Sequence, residues 1–115
     1  QAMVPGEPEF GVSEHVASVL LAAREAGSTA RGAVNLRYGP ETVETLADSY
    51  PTVEFDPERP TREAVREAVA AADLSAESDD GPLVCYQTGA VGIEPIIYVL
   101  APTASEAAAI VRKIV

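Results

Sequence analysis

Residues 95–100 read Pro-Ile-Ile-Tyr-Val-Leu, a strand without polar alternation. A half-solvated strand alternates apolar and polar side chains; one that is apolar throughout is covered on both faces and lies centrally in its sheet. The rest of the chain must therefore supply neighbouring strands and helices with apolar stripes. At 115 residues it is one domain, long enough for a substantial core.

Helical and strand patterns alternate along the chain. Residues 1–11 contain Pro5, Gly6 and Pro8 and are expected to be extended or irregular. Ser13 is suited to cap a helix over 14–26, in which Val16, Val19, Leu20 and Ala23 recur at helical spacing and Gly27 marks the end. The stretch 32–38 alternates as a strand does, and Gly39-Pro40 breaks it. A second helix opens at Pro40 or Glu41, with Val43, Leu46 and Ala47 inward, and stops at 49–51. A strand over 52–56 and a turn over 57–60 follow. Thr61 then caps a third helix with Ala64, Val65, Ala68, Val69 and Ala72 inward. Residues 83–87 form a third strand, 88–94 a tight loop, 95–100 the fourth strand, and 105–115 a last helix with Ala108, Val111 and Ile114 among its inner positions.

The order α-β-α-β-α-β-β-α implies a single layered α/β domain, a mixed sheet of about four strands flanked by helices. The first three strands are spaced for right-handed parallel crossovers. The short link between the third and fourth predicts an antiparallel pair.

Charge narrows the partners. There are 18 acidic and 8 basic residues, a net charge of -10, and Lys113 is the single lysine. Such a surface repels nucleic-acid phosphates, so no direct DNA contact is expected. Acidic excess with scarce lysine and abundant Ala, Val and Thr resembles proteins adapted to concentrated salt, which screens self-repulsion. A halophilic cytoplasmic protein is the reading. No apolar run approaches the ~20 residues of a membrane span, and the chain starts at Gln1, so a domain from a longer protein is expected. Cys85 stands alone, excluding an internal disulfide, and is expected as a buried apolar residue in its strand. One His and one Cys are poor material for a zinc site, and no metal site of the chain's own is expected. The acidic run 77–80 reads as a solvated loop.

Three stretches carry candidate chemistry. His15 falls in the first turn of its helix, beside backbone N–H groups that suit an anion; it can hold a phosphate or serve as a general acid. Its bland alternative is a surface histidine. Asn35, Arg37 and Tyr38 lie at the end of a strand, where α/β sheets hold ligands, and the Arg37 guanidinium matches a phosphate. The alternative for Arg37 is an exposed arginine with a carboxylate neighbour. Residues 89–95, Gly-Ala-Val-Gly-Ile-Glu-Pro, give the backbone freedom to approach a ligand at Gly89 and Gly92 and offer Glu94 to a metal or a hydroxyl. The alternative is a hairpin whose glycines only serve the turn. The loop lacks the Lys-Ser/Thr tail of a nucleotide P-loop, and no Gly-x-Ser-x-Gly, His-Glu-x-x-His or Cys–His pairing is present.

In this order, and with 53–56 between them, the blocks 10–17, 33–38 and 89–100 resemble the ThiN domain of archaeal thiamine-phosphate synthases and of related thiamine-responsive transcription regulators. The resemblance covers nearly the whole chain. It implies a domain that binds thiamine phosphate or diphosphate, with Ser13, His15, Asn35, Arg37, Gly89, Gly92 and Glu94 at the ligand. In the enzymes it implies coupling of an aminopyrimidine diphosphate to a thiazole phosphate with release of pyrophosphate, usually with Mg2+, and His15 as the catalytic residue. Catalytic members carry an arginine in a segment that would precede Gln1, Asp where this chain has Gln87, and Lys where it has Ile93. The form 92–98 resembles the regulator branch, in which DNA contacts lie in an N-terminal domain. The leading expectation is a ligand-sensing regulator domain. A synthase domain comes second and an interaction domain without a small ligand third. A homodimer is expected from the family tendency and the apolar last helix.

Overall fold

The computed structural model describes residues 14–72 and 81–114. In chain order the elements are α1 (Glu14–Glu25), β1 (Gly32–Arg37), α2 (Pro40–Ser49), β2 (Thr52–Glu54), α3 (Thr61–Ala72), β3 (Leu83–Gln87), β4 (Ile96–Ala101) and α4 (Ala104–Ile114). The proposed Ser13 cap and the acidic run 77–80 lie outside the described residues.

The four strands form one mixed sheet in the order β1-β4-β3-β2. β4 is central, as its apolar run requires, and pairs antiparallel with both β1 and β3. β2 and β3 pair in parallel through α3. β1, β2 and β3 do point the same way, but β4 is inserted between β1 and β3, so β1 touches neither parallel partner. The short 88–95 link folds β4 back beside β3 and thereby takes the place that a parallel β1 would have occupied.

Alternation along the strands divides the core between the two faces. On one face, Leu83, Cys85, Tyr98 and Leu100 meet Val16, Val19, Ala22 and Ala23 of α1 and Ala64, Val65 and Val69 of α3. On the other, Val34, Leu36, Val84, Ile97 and Val99 meet Leu46 of α2 and Ala107, Ile110 and Val111 of α4. Ala47 and Ala72, expected inward, are exposed. Val43 and Leu46 already define the face of the short α2, and Ala72 lies at the far end of α3.

Local chemistry fixes the joints. Gly32 is buried because a Cβ there would lie 2.2 Å from the Ala104 backbone nitrogen, so α4 starts directly on β1. Thr103 Oγ1 accepts from the Glu106 backbone N–H at 3.1 Å, capping α4 one residue earlier than expected. Thr61 is the first residue of α3 rather than its cap; the Pro60 carbonyl accepts from Ala64. β2 ends at Glu54, short of Asp56, which turns the chain by accepting from the Glu58 N–H. At the other end of α1, Arg24 Nη1 donates to the Ala30 carbonyl at 2.7 Å. That bond ties the C-terminus of α1 to the entry of β1.

Candidate functional site

One edge of the sheet collects the carboxyl ends of three strands. Arg37 closes β1 opposite Ile96. Ile96 is also opposite Gln87, the last residue of β3, and Phe55 after β2 donates its N–H to the Tyr86 carbonyl. By alternation Asn35, Arg37, Ile96, Gln87 and Phe55 all belong to the face covered by α1 and α3. Ligands in open α/β sheets gather at such carboxyl ends.

The cover thins in this direction. Along that face of β1, Ala33 and Asn35 are half-buried and Arg37 is exposed; on β4, Leu100 and Tyr98 are buried and Ile96 is half-buried. Burial on this face thus falls toward the ends of β1 and β4. His15 is exposed in the first turn of α1.

Two polar features of this corner bear on ligand binding. Arg37, like Arg24, Arg31 and Arg112, makes no ion pair with any carboxylate among the described residues, whereas Arg59, Arg62 and Arg66 do. Arg37 is exposed, and no described carboxylate occupies its guanidinium. Asn35 Oδ1 is shielded from solvent yet has no hydrogen-bond partner among the described residues. An unpaired buried acceptor is costly and calls for an explanation.

The 88–95 loop is held differently from what its glycines suggest. Ala90 and Ile93 exchange backbone hydrogen bonds at 3.0 and 2.9 Å, so 90–93 is a tight turn with Gly92 at φ 76°. Gly89, at φ 91°, spends its N–H on the Gln87 side-chain oxygen, and Gln87 Nε2 donates to the Glu94 carbonyl at 2.8 Å. The Gly89 amide is therefore not a free donor for an anion. The Glu94 side chain is exposed. Gln87, 6% exposed, is the polar residue that builds this wall. In the sequence Gln87 stands out only as the residue found where the resemblance implies Asp.

On the opposite face of the same edge, Tyr38 and Tyr86 stack with ring centroids 6.3 Å apart and planes 21° from parallel. Burial first, and then the Glu54 carboxylate, push the Tyr86 phenol above its usual range. Tyr38 follows β1 and Tyr86 lies on β3, with β4 between the two strands, so the pair is not visible in sequence. Among the described residues no three His, Cys, Asp or Glu side chains converge as a metal cage. No described helix is long and apolar enough to cross a membrane.

Comparison with known proteins agrees with the architecture and adds a pathway. A family model described as thiamine-phosphate synthase ThiN matches residues 1–113. The bifunctional thiamine biosynthesis protein ThiDN of Methanocaldococcus jannaschii is 31% identical over 113 residues, covering 96% of this chain. The chain spans 26% of that relative's length. The crystal structure of the C-terminal domain of protein MJ0236 superposes with a TM-score of 0.72 at 28% identity, over 92% of this chain and 60% of the other. The C-terminal domain of phosphomethylpyrimidine kinase gives the same TM-score at 24% identity, over 93% of this chain and 64% of that one, a likeness of fold.

Proposed function

We propose, since this chain belongs to the thiamine-phosphate synthase ThiN family, that it binds thiamine phosphate or diphosphate at the corner formed by β1, β4 and the start of α1. The observation that carries the reading is Arg37. In a chain with a net charge of -10, an arginine at the carboxyl end of a strand without an acidic partner among the described residues is a ready counter-charge for a phosphate. His15 supplies a second donor from the first turn of α1. Asn35 lines the floor. The Gln87-held loop is the wall, with Gly92 and Glu94 exposed beside it.

The role of that binding is sensing. The Gln87 amide is committed at both ends to the loop, and position 93 is the apolar Ile93, so these two positions offer neither an acid nor a base to a departing diphosphate. A sensor needs recognition of the phosphate without turnover, and transcription regulation through a separate DNA-binding segment accords with the acidic surface. The second reading is a thiamine-phosphate synthase domain with His15 as its catalytic residue, favoured by the relationship to a thiamine biosynthesis protein. A synthase assay decides between them. The pyrimidine diphosphate and thiazole phosphate are incubated with the chain, with Mg2+, and thiamine phosphate is measured. Sensing predicts binding of the product without its formation; turnover would reverse the order.

A further inference from the structure

We propose that the Asn35 side-chain carbonyl is the acceptor for a neutral N–H or O–H group of the ligand, so that the ligand is recognised by an amine or hydroxyl as well as by its phosphate. This rests on the binding reading above and specifies its chemistry. Asn35 Oδ1 is closed off from water and unpaired among the described residues. A buried polar atom without a partner persists when function holds it, because desolvation disfavours it in the free protein.

The surroundings define the missing group. Asn35 is opposite Tyr98, and Tyr98 is opposite Cys85, so its row across the sheet continues into a phenol and a buried thiol. Burial pushes the Cys85 thiol up to about 12, so it is neutral at any ordinary pH. A neutral, weakly polar row favours a neutral donor over a cation, whose desolvation it would not offset. A carbonyl oxygen accepts, so the complementary group must carry hydrogen. Arg37 is two residues further along the same face, about 7 Å away by strand geometry. The site therefore fits a ligand with an anionic group and a neutral hydrogen-bond donor within about that span, as in an amino-substituted heterocycle carrying a phosphate on a short arm.

The test is a thermodynamic cycle by calorimetry on the whole chain. The probes are an aminopyrimidine phosphate, the same pyrimidine phosphate without its amino group, and inorganic pyrophosphate. The proteins are wild type, Asn35→Leu, which keeps the volume and removes the acceptor, and Asn35→Ala. Wild type is expected to prefer the amino compound by about tenfold, the value of one hydrogen bond in a closed site, and both variants to lose that preference while binding pyrophosphate as wild type does. Because the leucine removes an unpaired acceptor, the Tm of unliganded Asn35→Leu should be equal to or above that of wild type. A wild type that binds pyrophosphate but does not distinguish the two pyrimidines overturns the inference and leaves the phosphate reading intact. A preference that survives Asn35→Leu also overturns it. A wild type that binds none of the probes overturns both.

Discussion

The side-chain amide of Gln87 donates to the backbone carbonyl of Glu94 across 2.8 Å, closing the loop between the two central strands. The same amide's oxygen accepts from Gly89, so one buried side chain bonds near both ends of an eight-residue excursion. Gln87→Ala should leave a backbone N–H and a carbonyl unpaired and destabilise the fold by about 1–3 kcal/mol. Denaturant midpoints read the loss. Gln87→Glu retains the acceptor and loses the donor, and should fall between the two proteins at neutral pH.

The two loop glycines should respond differently to alanine. Both have left-handed backbones, with φ of 91° at Gly89 and 76° at Gly92. A Cβ at Gly92 meets open space, whereas one at Gly89 lies 3.0 Å from the Ile93 carbonyl oxygen and 3.1 Å from Pro95 Cδ. Gly92→Ala should cost about 1–2 kcal/mol from backbone strain alone. Gly89→Ala should cost more, by thermal or chemical unfolding, because the clash adds to the strain.

Cys85 should be silent toward thiol reagents in the native state. It is fully buried, and its thiol is pushed up to about 12, so thiolate is scarce at pH 8 and inaccessible to a reagent. Labelling with a disulfide reagent should appear only with unfolding, and its rate should follow the unfolding rate in denaturant.

Acid should loosen the seam between α1 and α3. Glu25 reaches from α1 to Arg62 and Arg66 of α3, the latter at 3.3 Å. Arg62 is the chief cause that holds the Glu25 carboxyl below its ordinary 4.5, and Arg59 does the same for Glu67. A carboxyl depressed in the folded state contributes stability above its unfolded pKa, and that contribution is lost as pH falls through the lower folded value. These pairs are exposed, so the effect is small and screened by salt. Glu25→Gln should melt slightly below wild type at pH 7 and converge with it in acid, so that the part of the decline in Tm below pH 5 that is due to this seam is gone.

Much of the architecture was legible because burial writes a period into the sequence. The unbroken apolar run at 96–100 placed β4 at the centre, and the recurrence of Val16, Val19, Leu20 and Ala23 gave α1 its face. Sheet order was not legible. Nothing local to 32–37 says whether β1 joins β3 or β4, since either neighbour accepts the same alternation. Of the site, Arg37 stood out through its place after a strand. The unpaired Asn35 oxygen and the Gln87 staple were invisible, because a hydrogen-bond partner, or its absence, is a property of the folded neighbourhood.

His15 should matter to the phosphate rather than to the ring. Its position in the first turn of α1 sets it beside backbone N–H groups that favour an anion. His15→Ala is expected to weaken thiamine phosphate severalfold and leave unphosphorylated thiamine unchanged in calorimetric titrations. Equal losses for both ligands would assign His15 to structure.

The most direct measurement of the central claim is a calorimetric comparison of wild type and Arg37→Ala, each titrated with thiamine and with thiamine phosphate at matched ionic strength. Loss of a charge-assisted contact to phosphate is worth about 1.5–3 kcal/mol, so binding of thiamine phosphate should weaken at least tenfold in the variant while thiamine is unaffected. Unchanged affinity of Arg37→Ala for thiamine phosphate would contradict the account.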